Sequence, residues 1–298
     1  MAIPFSTAVL AAVNAAAGNL IGHPFRVKSV QPATGGCINR SFVVGDGREC
    51  FFLKVNGAAA LAQFAAEADG LNALRQANVR APAPVAHGAA GDETYLLMEY
   101  MSMREPRTGD YVGLAEALAT LHQSSASSFG WPQANFIGAS HQVNPWTASW
   151  MDFWRNARLA RQLELAAQNG HGGLLQSLGE RLLAALPQVL GGHVPRPALV
   201  HGDLWHGNVG FLANGTPTLF DPAVYFGDRE VDIAMSELFG GFPRVFYDAY
   251  FERLPVDEGY AARRDLYNVY HLLNHLNLFG GYRERVEILM RSVLTAVT

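Results

Sequence analysis

Leu199-Val200-His201-Gly202-Asp203-Leu204-Trp205-His206-Gly207-Asn208 leads into a β-like pair at Val209–Leu212 and Pro217–Phe220, joined at Asn214-Gly215 and ending in Leu219-Phe220-Asp221-Pro222. An Asp-x4-Asn spacing with a second Asp downstream matches the needs of phosphoryl transfer. One carboxylate orients or deprotonates the acceptor hydroxyl, while an amide oxygen and another carboxylate hold the cations that neutralise the phosphates. Asp203 is therefore the expected catalytic carboxylate, and Asn208 and Asp221 the expected Mg²⁺ ligands. Oxygen donors suit this hard cation, which commonly takes only one or two protein carboxylates. Two other readings compete. Asp203 and Asn208 could simply form turns, or His201, Asp203 and His206 could bind zinc. The second leaves Asn208, Asp221 and the N-terminal half without a role. His201 is expected to pack beneath the loop rather than to carry protons.

Working back from this segment, Phe51-Phe52-Leu53-Lys54-Val55 sets one lysine in an apolar strand, where an unpaired charge is costly. ATP α/β-phosphates and a glutamate on the next helix, Glu67, are its expected partners. Upstream, Thr34-Gly35-Gly36-Cys37-Ile38-Asn39-Arg40-Ser41 lies between two strands, so Gly35 and Gly36 would let backbone amides approach phosphate. Downstream, Tyr95–Met101 reads as a strand running into a connector. Backbone groups around Glu99 and Met101 are expected to bond the adenine edge.

Element patterns agree on an α+β chain. A helix capped near Ser6 or Thr7 precedes strands at Arg26–Ala33, Arg40–Val44 and Arg48–Val55, with Gly45-Asp46-Gly47 as a hairpin turn. Leu61–Gln76 is helical by apolar spacing. Strands at Pro84–Ala89 and Thr94–Tyr100 follow, and from Gly109 the pattern is mainly helical, with a loop-rich stretch at Ser124–Asn144. The polar, Pro-containing Met101–Pro106 marks a boundary, giving lobes at 1–101 and 102–298.

Hydrophobic residues form 49% of the 298, charged residues 16%, and the net charge is −4. This balance fits a folded chain and offers no electrostatic basis for binding nucleic acid or an anionic membrane. Only Cys37 and Cys50 are present, which argues against a disulfide scaffold and for a cytoplasmic setting.

Over nearly its whole length the sequence resembles the fructosamine kinases, also called ketosamine kinases. The resembling segments are Gly35–Ile38, Phe52–Asn56, Glu67–Leu71, Phe129–Trp131, Asn135–Gly138, Gln142–Trp146, Gln162–Leu165, His201–Trp205 and Gly227–Phe242. The catalytic core alone is similar to that of aminoglycoside phosphotransferases and choline kinases, so an aminoglycoside or other small-molecule phosphotransferase is the alternative. A noncatalytic nucleotide-binding module would have no physical need for both the base and the metal ligands.

The resemblance implies a protein-kinase-like bilobal fold and ATP- and Mg²⁺-dependent phosphorylation of a sugar hydroxyl on a free or protein-bound ketosamine, a deglycation step. Asp203 would be the base, Lys54 and Glu67 the ATP-positioning pair, and Asp232 a buried support for the catalytic loop. His206 departs from the small residue expected there. Trp205 is expected to stack on the sugar, since aromatic planes suit its C–H faces.

Trp146, Trp150, Phe153 and Trp154 read as a packing stripe at helical spacing, and His271 and His275 as structural. Cys37, in the glycine loop near Lys54, is a candidate redox site. Cys50, placed across from about Phe42, would lie roughly 15 Å from Cys37, so a bridge would join two chains. The expected states are thus a monomer or a redox-linked homodimer.

Overall fold

The computed structural model describes residues 3–33 and 39–297. Gly35, Gly36 and Cys37 lie outside them. Helix α1 (Thr7–Ile21) starts at Ser6, whose Oγ accepts from the Val9 amide at 3.2 Å and satisfies a first-turn donor. Next come β1 (Ser29–Pro32), β2 (Arg40–Gly45), β3 (Cys50–Gly57), α2 (Leu61–Gln76), β4 (Pro84–Ala90) and β5 (Glu93–Glu99). The strands form one antiparallel sheet in the order β1-β2-β3-β5-β4.

β3 begins later than expected because Asp46 Oδ1 accepts from the amides of both Arg48 and Glu49 and draws them into the turn. That turn sets the register. Gly45 faces Cys50 and Phe42 faces Leu53, so Cys50 sits at the hairpin end and not across from Phe42. β1 is likewise shorter than the strand expected over Arg26–Ala33.

Because side chains alternate along a strand, the sheet buries both faces. Phe51, Leu53 and Val55 pack with Val9, Val13 and Ala17 of α1. Leu96 and Met98 turn the other way, toward Phe64, Leu71 and Leu74 of α2. Phe52 belongs to this second cluster, and Lys54, two residues on, shares its face. The lysine is thereby aimed at α2.

The rest is mainly helical: β6 (Met103–Arg104), α3 (Asp110–Gln123), β7 (Asn135–Ile137), β8 (Ser140–Gln142), α4 (Trp150–Phe153), a π-helical turn (Trp154–Leu159), α5 (Ala160–Gln168), α6 (Leu174–Val189), β9 (Ala198–Val200), β10 (Val209–Leu212), β11 (Pro217–Leu219), β12 (Tyr225–Gly227), α7 (Glu230–Leu238), α8 (Arg244–Arg253), α9 (Tyr260–Phe279) and α10 (Arg283–Ala296). The α+β architecture is the one expected. The stretch read as loop contains the β7–β8 hairpin, whose strands are too short to show a period.

Trp150, Phe153 and Trp154 are buried as a packing stripe should be. Trp146 is not one of them. It precedes α4, is 50% exposed and stacks on Phe226 with ring centroids 6.2 Å apart. Among the described residues no helix is long and apolar enough to cross a membrane.

Candidate active site

Two loops make the centre. One, at 201–208, leaves β9. The other, at 220–224, joins β11 to β12. Because β9 and β12 pair, with Val200 opposite Tyr225, the loops run side by side. The Ala223 amide donates to His201 O at 2.8 Å and the Phe220 amide to Asn208 O at 3.1 Å. Gly202 has φ +82°, and a Cβ there would stand 2.2 Å from Ala223 O, so the loops can meet this closely only with glycine.

Asp232 on α7 accepts from the His201 amide at 2.7 Å and the Gly202 amide at 2.9 Å, supporting the loop from beneath as expected. Its Oδ2 also meets His122 Nε2 at 3.0 Å, and His122 Nδ1 lies 2.7 Å from the Tyr250 hydroxyl. Burial works against the Asp232 charge, yet His122, His201 and the loop amide hold the carboxyl below its ordinary range. His201 is fully buried. Its Nδ1 accepts from the Asp203 amide at 3.3 Å, which assigns the proton to Nε2, 3.1 Å from Phe220 O. Burial pushes the pKa of this ring below its ordinary value, with Asp232 opposing. With both nitrogens engaged, His201 cannot serve the zinc set.

Asp203 is partly buried in the first loop. Asn208 Nδ2 donates to its main-chain oxygen at 2.8 Å and to its Oδ2 at 3.0 Å, locking the two side chains together. The Asp203 carboxyl is pushed up to about 7 by burial, with Asp221 and Asp232 adding to the effect and Asn208 opposing it. Asp221 has φ +55°, a left-handed conformation rare outside glycine.

Lys54 Nζ lies 2.7 Å from Glu67 Oε1 and bonds Asp221 Oδ1 as well. Burial opposes the Lys54 charge, but Asp221 and Glu67 outweigh it and hold the ammonium above its usual range. Burial pushes the Glu67 carboxyl up, with Lys54 opposing and Asp221 reinforcing the rise. The lysine thus bridges α2 to the second loop, a link the sequence reading did not anticipate.

α2 is also docked directly on that loop. A Cβ at Gly70 would stand 2.9 Å from Pro222 Cγ, and Asp69 Oδ2 accepts from Trp131 Nε1 at 2.8 Å.

The donors available to a cation between the two loops are the carboxylates of Asp203 and Asp221 and the amide oxygen of Asn208. An all-oxygen set of this kind fits Mg²⁺. Among the described residues the converging group of potential ligands that includes a histidine is instead His193, Asp228 and Glu230.

Trp205 is half-buried. It packs edge-on against Phe239, with centroids 6.0 Å apart, and against His206 at 4.7 Å. Phe239 leans in turn on His275 at 4.7 Å. Glu99 spends its side chain on Arg80 and the Ala83 amide, and its own amide donates to Ala83 O at 2.8 Å. The Met101 amide has no backbone partner among the described residues.

Sequence reasoning missed His122 and Arg158, both buried in polar networks. Neither belongs to a motif, and only the fold brings their partners near.

A family model described as fructosamine kinase matches residues 9–296. The chain belongs to the fructosamine kinase family. A relative within reach of this family assignment, a probable ketoamine kinase of Synechocystis, is 42% identical over 276 residues, covering 92% of each chain. A crystal structure from Haemophilus somnus, assigned as a fructosamine-3-kinase, superposes with TM-score 0.87 at 28% identity, over 95% of this chain and 96% of that one. A thermostable mutant of the aminoglycoside phosphotransferase APH(4)-Ia superposes with TM-score 0.62 at 16% identity, over 95% and 98%, which shows a shared protein-kinase-like fold.

Proposed function

We propose that this chain uses ATP and Mg²⁺ to phosphorylate a sugar hydroxyl of ketosamines, the adducts of amines with reducing sugars, as a step in deglycation. The observation that carries this reading is the convergence of Lys54, Glu67 and Asp221 beside the Asp203–Asn208 pair. These are the parts that hold phosphates and aim a hydroxyl, and they come from separate segments of the chain.

In this reading Asp203 accepts the proton of the acceptor hydroxyl as its oxygen attacks the γ-phosphorus. A carboxyl raised toward neutrality is a better base than an ordinary one. Lys54, steadied by Glu67, holds the α/β-phosphates. Asn208 and Asp221 would hold Mg²⁺, which neutralises phosphate charge when bound. The adenine edge falls to backbone groups of Glu99 and Met101, where the unengaged Met101 amide can donate, and the backbone amides of Gly35 and Gly36, which lie outside the described residues, are assigned to the phosphates. His201 and Asp232 fix the loop, and Trp205 offers its face to the sugar.

We take 1–101 and 102–298 as the two lobes, a division supported by β6, which pairs with β10 rather than with the first sheet. A cytoplasmic location is part of the proposal. The similarity to a ketoamine kinase over 92% of the chain favours ketosamines over aminoglycosides, whose phosphotransferase is 16% identical. A screen of ATP consumption over fructosamines, ribulosamines, erythrulosamines and aminoglycosides tests it. Ketosamine-dependent turnover is expected, and turnover with aminoglycosides alone would overturn the substrate class.

A further inference from the structure

Asp221 holds a left-handed backbone conformation that is uncommon outside glycine and that its surroundings must maintain. Two carbonyls just after it, Ala223 O and Val224 O, are gripped by side chains of the β7–β8 hairpin. Gln142 Nε2 donates to Ala223 O at 3.2 Å and Asn135 Nδ2 to Val224 O at 2.7 Å. Both amides are buried, so which end is oxygen and which nitrogen matters for every bond they make.

That orientation is set from a distance. Arg158 is fully buried and has no carboxylate partner among the described residues. It lies over the rings of Tyr225 and Phe153, 4.1 and 4.5 Å from their centroids. A guanidinium can only donate, so the atom of Asn144 facing its Nη2 at 2.7 Å must be the oxygen. The Asn144 nitrogen then faces Asn135 at 3.0 Å and requires an oxygen there. This turns the Asn135 nitrogen onto Val224 O. Gln142 Nε2, 2.9 Å from the same Asn135 oxygen, is likewise fixed, leaving its own oxygen to accept from the Tyr270 hydroxyl at 2.6 Å. One buried cation thus dictates donor direction along Arg158, Asn144 and Asn135 to the loop carrying Asp221.

Resting on the metal-ligand role proposed for Asp221, we propose that Asn135, Gln142, Asn144 and Arg158 are positioning residues that hold the Asp221 loop in its cation-binding conformation. They act through Ala223 O and Val224 O and touch neither nucleotide nor acceptor.

The test is equilibrium binding of a non-hydrolysable ATP analogue by calorimetry, with and without Mg²⁺, in wild type, Asn135→Leu and Gln142→Met. Groups that orient a metal ligand typically contribute 10–100-fold in metal affinity, so the Mg²⁺-dependent part of binding should fall about tenfold in Asn135→Leu and less in Gln142→Met. Affinity for the metal-free analogue should not move. A merely structural role would lower melting temperature and leave the Mg²⁺ dependence of folded protein intact, and that result overturns the proposal, as does equal loss with and without metal. If Asn135→Leu does not fold, Gln142→Met decides alone. Wild type without Mg²⁺-dependent binding would instead sink the kinase reading itself.

Discussion

Two clusters of buried charge in this chain differ in how completely they are satisfied. In the first, Arg263 forks onto Glu230 at 2.7 and 2.9 Å and reaches Asp257 at 2.8 Å. Asp228 beside it takes His193, the Tyr267 hydroxyl and the Glu230 amide. In the second, Lys54 is shared by Glu67 and Asp221, while the Asn208 amide oxygen has no hydrogen-bond partner among the described residues. The backbone at Asp221 is left-handed. The first cluster is saturated and holds α7 to α9. The second keeps donors in reserve on a strained loop. Saturation separates a fastener from the centre proposed to react, even where the residue types are the same. Of the converging His193, Asp228 and Glu230, the Glu230 carboxylate is already engaged by Arg263.

The comparison breaks if mutations in the two clusters have similar consequences. Asp203→Asn should lower kcat by roughly 10²–10⁴-fold while nucleotide binding survives, because removing a general base costs that much and the phosphates bind elsewhere. Near-normal turnover would refute the role given to Asp203. Glu230→Gln should act on the other axis. Breaking a buried pair costs about 3–5 kcal/mol, read as a shifted denaturation midpoint, while turnover of the folded protein moves far less than in Asp203→Asn. A Glu230 variant that is stable but inactive would erase the distinction.

Smaller effects sharpen it. Trp205→Ala should raise KM for the acceptor more than for ATP, whereas a fall in melting temperature with both KM values unchanged would make Trp205 a packing residue leaning on Phe239. The raised Asp203 carboxyl predicts that kcat/KM climbs between pH 6 and 8 around an apparent pKa near 7. The same group binds its proton more tightly folded than unfolded. Its contribution to stability is therefore complete below the ordinary carboxyl pKa and is lost as pH rises through about 7. Asp203→Asn should consequently melt slightly above wild type at pH 8, with the gap closing toward pH 4. A variant that melts lower at both would contradict this.

How much of this could be read from sequence follows from where each signal lives. Lys54 was legible because a charge in an apolar strand demands partners, and Glu67 because the next helix supplies one at the right place. Spacing singles out Asp203, Asn208 and Asp221 as candidates, and the fold brings their two loops side by side. Asp221 as a second partner of Lys54 was not legible, since nothing local ties β3 to a loop 167 residues away. Cys50 was misplaced by a few positions because Asp46 tightens the hairpin, a side-chain effect that strand counting ignores. Trp146 was grouped with Trp150 by helical spacing, although the helix begins only at Trp150. The Asn135–Gln142–Asn144 amides stood in resembling segments. Their partners are main-chain carbonyls and an arginine, which no pattern of residue types identifies. The glycine loop with Cys37 lies outside the described residues.

Asp203 and its neighbours are proposed to move phosphate from ATP to a ketosamine hydroxyl. ³¹P NMR of wild-type protein incubated with ATP, Mg²⁺ and a fructosamine tests it most directly, with Asp203→Asn run in parallel. A new phosphomonoester resonance should grow in step with ADP in wild type and be nearly absent in the variant. ATP conversion to ADP and inorganic phosphate without that resonance, or equal product from both proteins, would contradict the proposal.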